Sequence, residues 1–299
     1  MGNATLKMKK NKVDMRISTI LIYGLMLCLI LIILIPIINL VAKSLSSPEY
    51  SRAMSGWDIL PKGFTLSNYE IIFDSPIIWR ATLNSVVITV CGTFFSMLLT
   101  SCAAYALTRP GLPGKSIFMV FLLIMMIFEP TTIQYYMVVK GYNLIDKIGS
   151  MIIFCCVNVY YLILLMRFFA ETPQSLLEAA RIDGAGEMTT LFRIFLPLNR
   201  VPLITLSMFY AVDKWNEYFY SSIFLTSSEN TVLQVFLKKF AVDGDSWTYL
   251  SHIKTRFAEI DLQAVKAAAI VVVILPILLL YPLILKYFTS GVLIGSVKE

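Results

Sequence analysis

The sequence has few charged residues and almost no histidine. Asp, Glu, Lys and Arg make up 15% of its 299 residues, against about 25% in soluble proteins, and His252 is its one histidine. The five cysteines lie in apolar stretches and include no Cys-x-x-Cys pair, so neither a disulfide framework nor a protein-built zinc or haem site is expected. Hydrophobic residues, by contrast, reach 58%. Composition therefore predicts an integral membrane protein.

Six apolar segments are candidates to cross a bilayer, which takes about 20 residues of helix. They are residues 17–42, 81–108, 116–139, 148–166, 202–225 and 267–285. The fifth is interrupted by Asp213, Lys214 and Glu217, whose spacing would let them neutralise one another on a helix. We expect an all-α integral membrane fold with six transmembrane helices.

The distribution of basic residues sets the expected orientation. Residues 1–16 carry five basic residues against Asp14, whereas most basic residues predicted outside lie in long loops, which count little in the positive-inside rule. The first apolar run is too long for a cleaved signal peptide, so we expect it to be retained. Both termini are thus predicted to be cytoplasmic. The expected segments are a basic N-terminus (1–16), the first helix (17–42), an extracytoplasmic loop (43–80), a five-helix core (81–288) with an inner loop (167–200) and an outer loop (226–266), and a cytoplasmic tail (289–299).

The inner loop contains a predicted amphipathic helix. Thr172 and Pro173 are typical of a helix start, and Gly184 and Gly186 permit a sharp bend after it. Apolar side chains fall on one side of this helix and charged ones on the other: Leu176, Leu177 and Ala180 against Glu178 and Arg181. Such a helix either caps the bundle at the membrane surface or docks a cytoplasmic partner, and the pattern does not separate the two.

The same loop resembles the "EAA" motif of binding-protein-dependent ABC importer permeases. The matching positions are Glu178, Ala179, Ala180, Gly184, Ile194, Leu196 and Pro197. Further segments resemble the carbohydrate-importer branch of that family, which includes the second maltose permease subunit and permeases of oligosaccharide and alginate importers. These segments are residues 65–69, 84–85, 104–109, 215–218 and 291–298.

The resemblance implies a type I ABC importer permease-like fold with a cytoplasmic coupling helix. It implies that this helix fits a cleft on an ATP-hydrolysing subunit, through the coupling residues Glu178, Ala179, Ala180, Arg181, Asp183, Gly184, Ile194, Leu196 and Pro197. The implied partners are a second homologous permease, two ATP-binding subunits, an extracytoplasmic sugar-binding protein and the bilayer of a bacterial inner or plasma membrane. No nucleic-acid partner is expected, since the basic residues flank apolar runs.

The chain itself is expected to be a non-catalytic transport subunit that binds no cofactor, with ATP and magnesium held by the partner. Gly114-Lys115-Ser116 resembles the end of a phosphate-binding loop, but that motif needs glycine where Arg109 stands. A membrane helix, rather than a strand, precedes it.

Polar residues inside the predicted spans are candidates for a substrate path, because burying them in lipid is costly. Glu129 lies beside Pro130, and Tyr135 and Tyr136 offer rings and hydroxyls suited to a sugar. The full set of candidates is Asn84, Glu129, Tyr135, Tyr136, Trp215 and Asn216. Equally, these groups would serve as hydrogen bonds within the bundle or as an aromatic belt at the membrane interface.

The leading hypothesis is an ATP-driven carbohydrate importer permease, coupling hydrolysis on a partner to alternating access. A proton-coupled secondary transporter using Glu129 is one alternative, and an ABC importer for another solute is a second. A membrane-embedded enzyme is a third, although no paired carboxylates or nucleophile–base constellation stand out.

Overall fold

A computed structural model describes residues 2–244 and 260–296 of the chain. Within these ranges the secondary structure is helical, and apart from one isolated bridge between Ser46 and Phe64 no β-pairing occurs. The prediction of an all-α fold is confirmed. The described residues divide into two compact units, 2–74 with 260–272 and 75–244 with 273–296.

The first unit holds α1 (Gly2–Ser44), α2 (Pro48–Ser51) and α3 (Ser67–Phe73). Within α1, residues Thr19–Ser44 form a 26-residue apolar stretch whose most hydrophobic part makes no buried contact in the chain. A helix that is apolar all round in this way suits lipid rather than water. The loops after α1 fold back on its end, where the buried side chain of Asn68 donates to the carbonyls of Ser44 and Ser46, both at 2.9 Å.

The second unit holds most of the helices. These are α4 (Pro76–Thr108), α5 (Lys115–Ile127), α6 (Thr132–Gly141), α7 (Ile148–Ile153), α8 (Val159–Ala170), α9 (Gln174–Ile182), α10 (Glu187–Thr190), α11 (Leu196–Leu198), α12 (Arg200–Asn216), α13 (Phe219–Phe224) and α14 (Leu233–Leu237). A π-helical turn, Leu191–Phe195, joins α10 to α11, and a second, Lys238–Val242, follows α14. The last helix, α15 (Leu262–Ser296), begins in the first unit and continues into the second.

Helix α4 is the centre of the second unit and packs along α7, α8 and α12. One stripe of α4 carries only small side chains at four-residue spacing: Gly92, Ser96, Thr100 and Ala104, all buried. Small residues at this spacing allow helices to approach closely in a membrane, where packing rather than water exclusion drives association. Around Ala104, the last residue of this stripe, large side chains fill the core, among them Leu165, Phe169, Phe195 and Leu206.

The predicted spans are less regular than the apolar runs suggested. By length and composition, the described residues contain three helices able to cross a membrane, Thr19–Ser44, Pro76–Thr108 and Leu262–Pro282, or up to five if each of two bent pairs forms one span. The predicted third span is one such pair, α5 and α6, bent by 116°. Pro130 lies in this bend, and proline both lacks a backbone donor and keeps the preceding residue out of helical geometry.

The fourth and fifth predicted spans are also interrupted. The fourth is split into the short helix α7 and the apolar helix α8. In the fifth, α12 ends at Asn216 and a new helix, α13, begins at Phe219. The second bent pair consists of Glu187–Leu198 and α12, which meet at Asn199 with an angle of 87°. The apolar runs are therefore largely helical, whereas their continuity as single helices was an expectation that the structure corrects.

Candidate functional site: the elbow

The segment carrying the EAA-like motif forms an elbow, which we define as residues 174–199. Helix α9 ends at Ile182, and Gly184 adopts a left-handed conformation with φ of 72°. The Gly184 amide donates to the Arg181 carbonyl at 3.0 Å, and the Ala185 amide donates to the Ala180 carbonyl at 2.9 Å. These two bonds are the Schellman pattern, in which a left-handed residue, usually glycine, caps the last free carbonyls of a helix. The predicted bend at Gly184 is present and has a defined geometry.

The inner face of α9 packs on the core. Ala180 is buried, and Leu177 contacts the cluster that contains Leu165, Phe169 and Phe195. Leu176, expected on this face, is instead 42% exposed. The inner face is thus narrower than the apolar pattern predicted.

The outer face of the elbow is exposed and mixed in character. Most of the predicted coupling residues lie on it or at its edges: Glu178, Ala179, Arg181, Asp183, Gly184 and Pro197. Apolar side chains that the motif does not include are also exposed, most of all Ile182 at 86% and Met188 at 68%. Exposed apolar groups beside charged ones are typical of a protein-binding surface.

The second half of the motif anchors the elbow. Phe195 is buried and meets the rings of Tyr105 and Phe169 edge to face, with centroids 5.0 and 5.4 Å apart. The predicted residues Ile194 and Leu196 are half-buried, and Leu196 packs against the same cluster. The bend at Asn199 is held by its side-chain amide, which donates to the Phe195 carbonyl at 3.0 Å. Phe195, which lies between two motif positions, and Leu196 therefore fix the elbow to the core.

A polar contact missed from the sequence ties the elbow to α4. The Tyr105 hydroxyl donates to Glu187 at 2.5 Å, and the Arg109 guanidinium stacks on the Tyr105 and Phe195 rings at 4.0 and 4.5 Å. Glu187 also lies 3.5 Å from Arg181 in an exposed ion pair. The Tyr105 hydrogen bond, with help from Arg109 and Arg181, holds the pKa of the Glu187 carboxyl below its usual value. Glu187 stands in the first turn of α10, where negative charge is favourable, but no pattern in the sequence indicates Tyr105 as its partner.

The substrate-path candidates differ in burial and in hydrogen-bond partners. The buried Trp215 ring donates from Nε1 to the Val273 carbonyl at 3.3 Å, and Asn84 donates to the carbonyls of Glu229 and Thr231 at 2.9 and 3.0 Å. Both side chains thus hold backbone segments in place. Glu129, at the bend between α5 and α6, and Asn216, at the end of α12, are exposed.

The two tyrosine candidates have different surroundings. Tyr135 contacts Phe154 and Tyr220 edge to face, with centroids 5.2 and 5.5 Å apart. Tyr136 lies partly buried, with the Lys140 ammonium 5.9 Å from its ring centre. Within the described ranges, no group of three or more His, Cys, Asp or Glu side chains is placed to hold a metal ion.

Comparison with known proteins gives this geometry its context. The chain is 36% identical to the polygalacturonan/rhamnogalacturonan transport system permease protein YtcP of Bacillus subtilis, over 95% of this chain and 99% of that protein. It is 27% identical to the arabinooligosaccharides transport system permease protein AraQ of the same organism, over 90% and 92%. Among solved structures, it is similar to a chain of a bacterial ABC transporter involved in the import of the acidic polysaccharide alginate, with a TM-score of 0.84, 28% identity and coverage of 91% and 97%.

The family model named binding-protein-dependent transport system inner membrane component matches residues 103–294, about two thirds of the chain, including the whole elbow. The chain belongs to the family of binding-protein-dependent transport system inner membrane components.

Proposed function

We propose that the chain is the transmembrane permease subunit of an ATP-driven importer that takes up an oligosaccharide or polysaccharide. The observation that carries the coupling role is the two-sided elbow. Its inner face packs on the core through Leu177, Ala180 and Phe195, while its outer face exposes Ile182, Met188 and Glu178. An element held firmly on one side and open on the other can pass a movement of a bound partner to the helices.

The partner on the outer face is proposed to be an ATP-hydrolysing subunit, which holds the ATP and magnesium that this chain does not bind. Closure of two such subunits would move the elbow as a rigid body. Helix α12 begins directly after the bend at Asn199, so it would move with the elbow. An exposed ion pair at Glu178 is worth under about 1 kcal/mol, so burial of Ile182 and Met188 should contribute more to docking.

The sugar cargo is inferred from the relatives, which are named for polygalacturonan/rhamnogalacturonan and for arabinooligosaccharides, and from the similar alginate transporter. We also propose a second permease and an extracytoplasmic sugar-binding protein as partners of the chain. Both of its termini are proposed to lie in the cytoplasm of a bacterium. Glu129 and Asn216, the exposed members of the candidate set, remain the proposed contacts with substrate.

The docking proposal is tested by placing a charge on the outer face. Ile182→Asp should reduce co-purification of the ATPase subunits at least about tenfold, because the exposed side chain would be buried with an unpaired carboxylate on docking. Val242→Asp is the matched control, since Val242 is 75% exposed on the opposite, predicted extracytoplasmic side. Equal co-purification of the two variants would contradict the docking role of the elbow.

The transport proposal is tested with the whole complex in vesicles. ATP supplied on the cytoplasmic side should drive uptake of oligosaccharides presented by the loaded binding protein. A panel of oligogalacturonides, alginate oligomers and arabino-oligosaccharides would identify the cargo class. Uptake that is independent of ATP and depends on a proton gradient would contradict the proposal and favour a secondary transporter.

A further inference from the structure

The predicted fourth span contains a break between two helices. Helix α7 ends at Ile153, α8 begins at Val159, and Cys155 between them has a φ of 49°. The last carbonyls of a helix have no partner within it, and at membrane depth no bulk water is available to supply one. Each carbonyl at the end of α7 therefore needs a donor from elsewhere in the protein.

Donors within the break itself satisfy some of the carbonyls at the end of α7. The Phe154 amide donates to the Ser150 carbonyl at 2.8 Å, and the Cys156 amide donates to the Ile153 carbonyl at 3.2 Å. The Cys156 thiol lies 3.0 Å from the Ile152 carbonyl. The carbonyls of Met151 and Phe154 are left over.

Lys214 of α12 supplies the missing donor. Its ammonium lies 3.1 Å from the Met151 carbonyl and also donates to the Phe154 carbonyl, and the residue is only 9% exposed. A cation at the carboxyl end of a helix is favourable because the partial charges there are negative. In transporters, carbonyls at interrupted helices commonly coordinate a cation, and here the chain's own ammonium takes that position.

The acidic neighbours of Lys214 do not pair with it. Asp213 accepts from the Tyr161 hydroxyl at 2.9 Å, and Glu217 accepts from the Tyr220 amide at 2.8 Å. Among the described residues, no carboxylate oxygen lies within 4.0 Å of the ammonium. The expected neutralisation of Asp213, Lys214 and Glu217 therefore takes place between nearby charges without a direct ion pair. The ammonium of Lys214 donates to carbonyls of the α7–α8 break instead.

The same helix also binds the other side of the break. Tyr210, one turn before Lys214, accepts from the Asn158 amide at 3.0 Å and shares a 2.8 Å hydrogen bond with Thr100 of α4. Asn158 is the N-cap of α8, where its side chain accepts from the amides of Tyr160 and Tyr161. One turn of α12 thus contacts the end of α7 and the start of α8.

Helix α4 provides the slot in which the lysine stem lies. A Cβ added at Gly92 would stand 3.2 Å from both Cδ and Cε of Lys214. Gly92 is the first residue of the buried small stripe of α4. The lysine position is therefore specified from three helices, α4, α7 and α12.

We propose that Lys214 and Tyr210 are positioning residues that clamp the α7–α8 break to α12, so that the break moves with α12 when the elbow moves. The proposal rests on the coupling role of the elbow proposed above. It assigns the buried lysine a transmission role in place of substrate or proton binding. The charged Lys214 interrupts the predicted fifth span because its ammonium is the donor for the free carbonyls at the end of α7.

The test uses the full complex and measures two quantities. Lys214→Met keeps the stem but removes the charged donor, so amide hydrogen exchange in the peptide covering 154–158 should rise at least about tenfold, with little change in other peptides. ATP hydrolysis should continue while uptake per ATP falls. Lys214→Arg should restore part of the slow exchange and part of the uptake per ATP, because a guanidinium can reach backbone carbonyls from the same helix. Ser207→Ala is the matched control, since the Ser207 hydroxyl bonds only within α12.

A second variant leaves the lysine in the sequence. Gly92→Val would push the lysine stem from its slot, and it should raise exchange at 154–158 in the same way. If either variant assembles with native exchange at the break and native uptake per ATP, the clamp is overturned. The clamp would also be overturned if both variants failed to assemble with the partners while hydrogen exchange at residues 154–158 stayed native in the free subunit. Failure of the native complex to import sugar with ATP would instead overturn the proposed function. Hydrogen exchange at residues 154–158 would still test the contact of Lys214 with the break.

Discussion

At the scale of single residues, polar side chains in apolar segments mostly serve the protein's own backbone. Asn84 and Trp215 were expected to line a substrate path, and both are buried with their donors on carbonyl oxygens of other segments. The physical reason is that a carbonyl outside regular structure must find a donor when water is scarce. An asparagine or tryptophan at membrane depth can meet that need.

Asn84 allows this interpretation to be tested. Asn84→Leu should lower the free energy of unfolding by about 1–3 kcal/mol, because the carbonyls of Glu229 and Thr231 lose their donor. Thermal unfolding of the purified complex in detergent measures the loss. Asn216→Leu, at an exposed site, is the control and should leave stability nearly unchanged. A change in the KM for sugar with unchanged stability in Asn84→Leu would instead assign Asn84 to the substrate path.

At the scale of elements, the elbow depends on one left-handed residue. No atom lies within 4 Å of a Cβ added at Gly184, so space does not demand glycine there, whereas its φ of 72° does. A residue with a side chain pays roughly 1–2 kcal/mol in this conformation, and asparagine tolerates it better than alanine. The bend should therefore respond to backbone preference rather than to side-chain size.

Two substitutions at Gly184 separate these effects. Gly184→Ala should weaken the bend and reduce uptake per ATP hydrolysed, while the larger Gly184→Asn should retain more of both. Transport and ATPase assays on the same vesicles give the ratio. Gly186→Ser is the control, since Gly186 has an ordinary φ of −71° at the N-cap of α10, where serine is favoured. A greater loss for asparagine than for alanine would show that the site is limited by space in the docked complex.

At the scale of the whole molecule, hydrogen bonds between distant segments organise the second unit. Asp146 lies in the loop between α6 and α7, and its Oδ1 accepts from the amides of Thr226 and Ser227 at 3.1 and 3.0 Å. Asn230 donates back to the Asp146 carbonyl at 2.7 Å. These contacts join two loops on the predicted outer side, so the loop after α13 is held by a carboxylate about eighty residues earlier.

The Asp146 tether should depend on pH. Hydrogen bonds from the Ser227 amide and hydroxyl hold the pKa of the Asp146 carboxyl below its usual value of 3.8. A lowered pKa means that the contact stabilises the fold above the unfolded pKa and is lost as pH falls through the folded one. Hydrogen exchange at residues 226–231, corrected for intrinsic rates, should therefore be slow at neutral pH and rise in acid. Asp146→Asn should exchange faster at neutral pH and lose most of the acid response, and an acid response equal to that of the native protein would contradict the assignment.

The sequence by itself determined that the protein is a helical membrane protein, where its apolar segments lie and where the elbow bends. Those properties follow from local information, namely long uncharged runs and a glycine at the end of an amphipathic helix. Only the tertiary structure decided which spans are interrupted and what their polar residues bind. The hydrogen bond from Lys214 to the Met151 carbonyl joins residues 63 positions apart in the sequence, and that from Tyr105 to Glu187 joins residues 82 positions apart. A donor's partner at such a distance is selected by helix packing, which no local pattern of residues encodes.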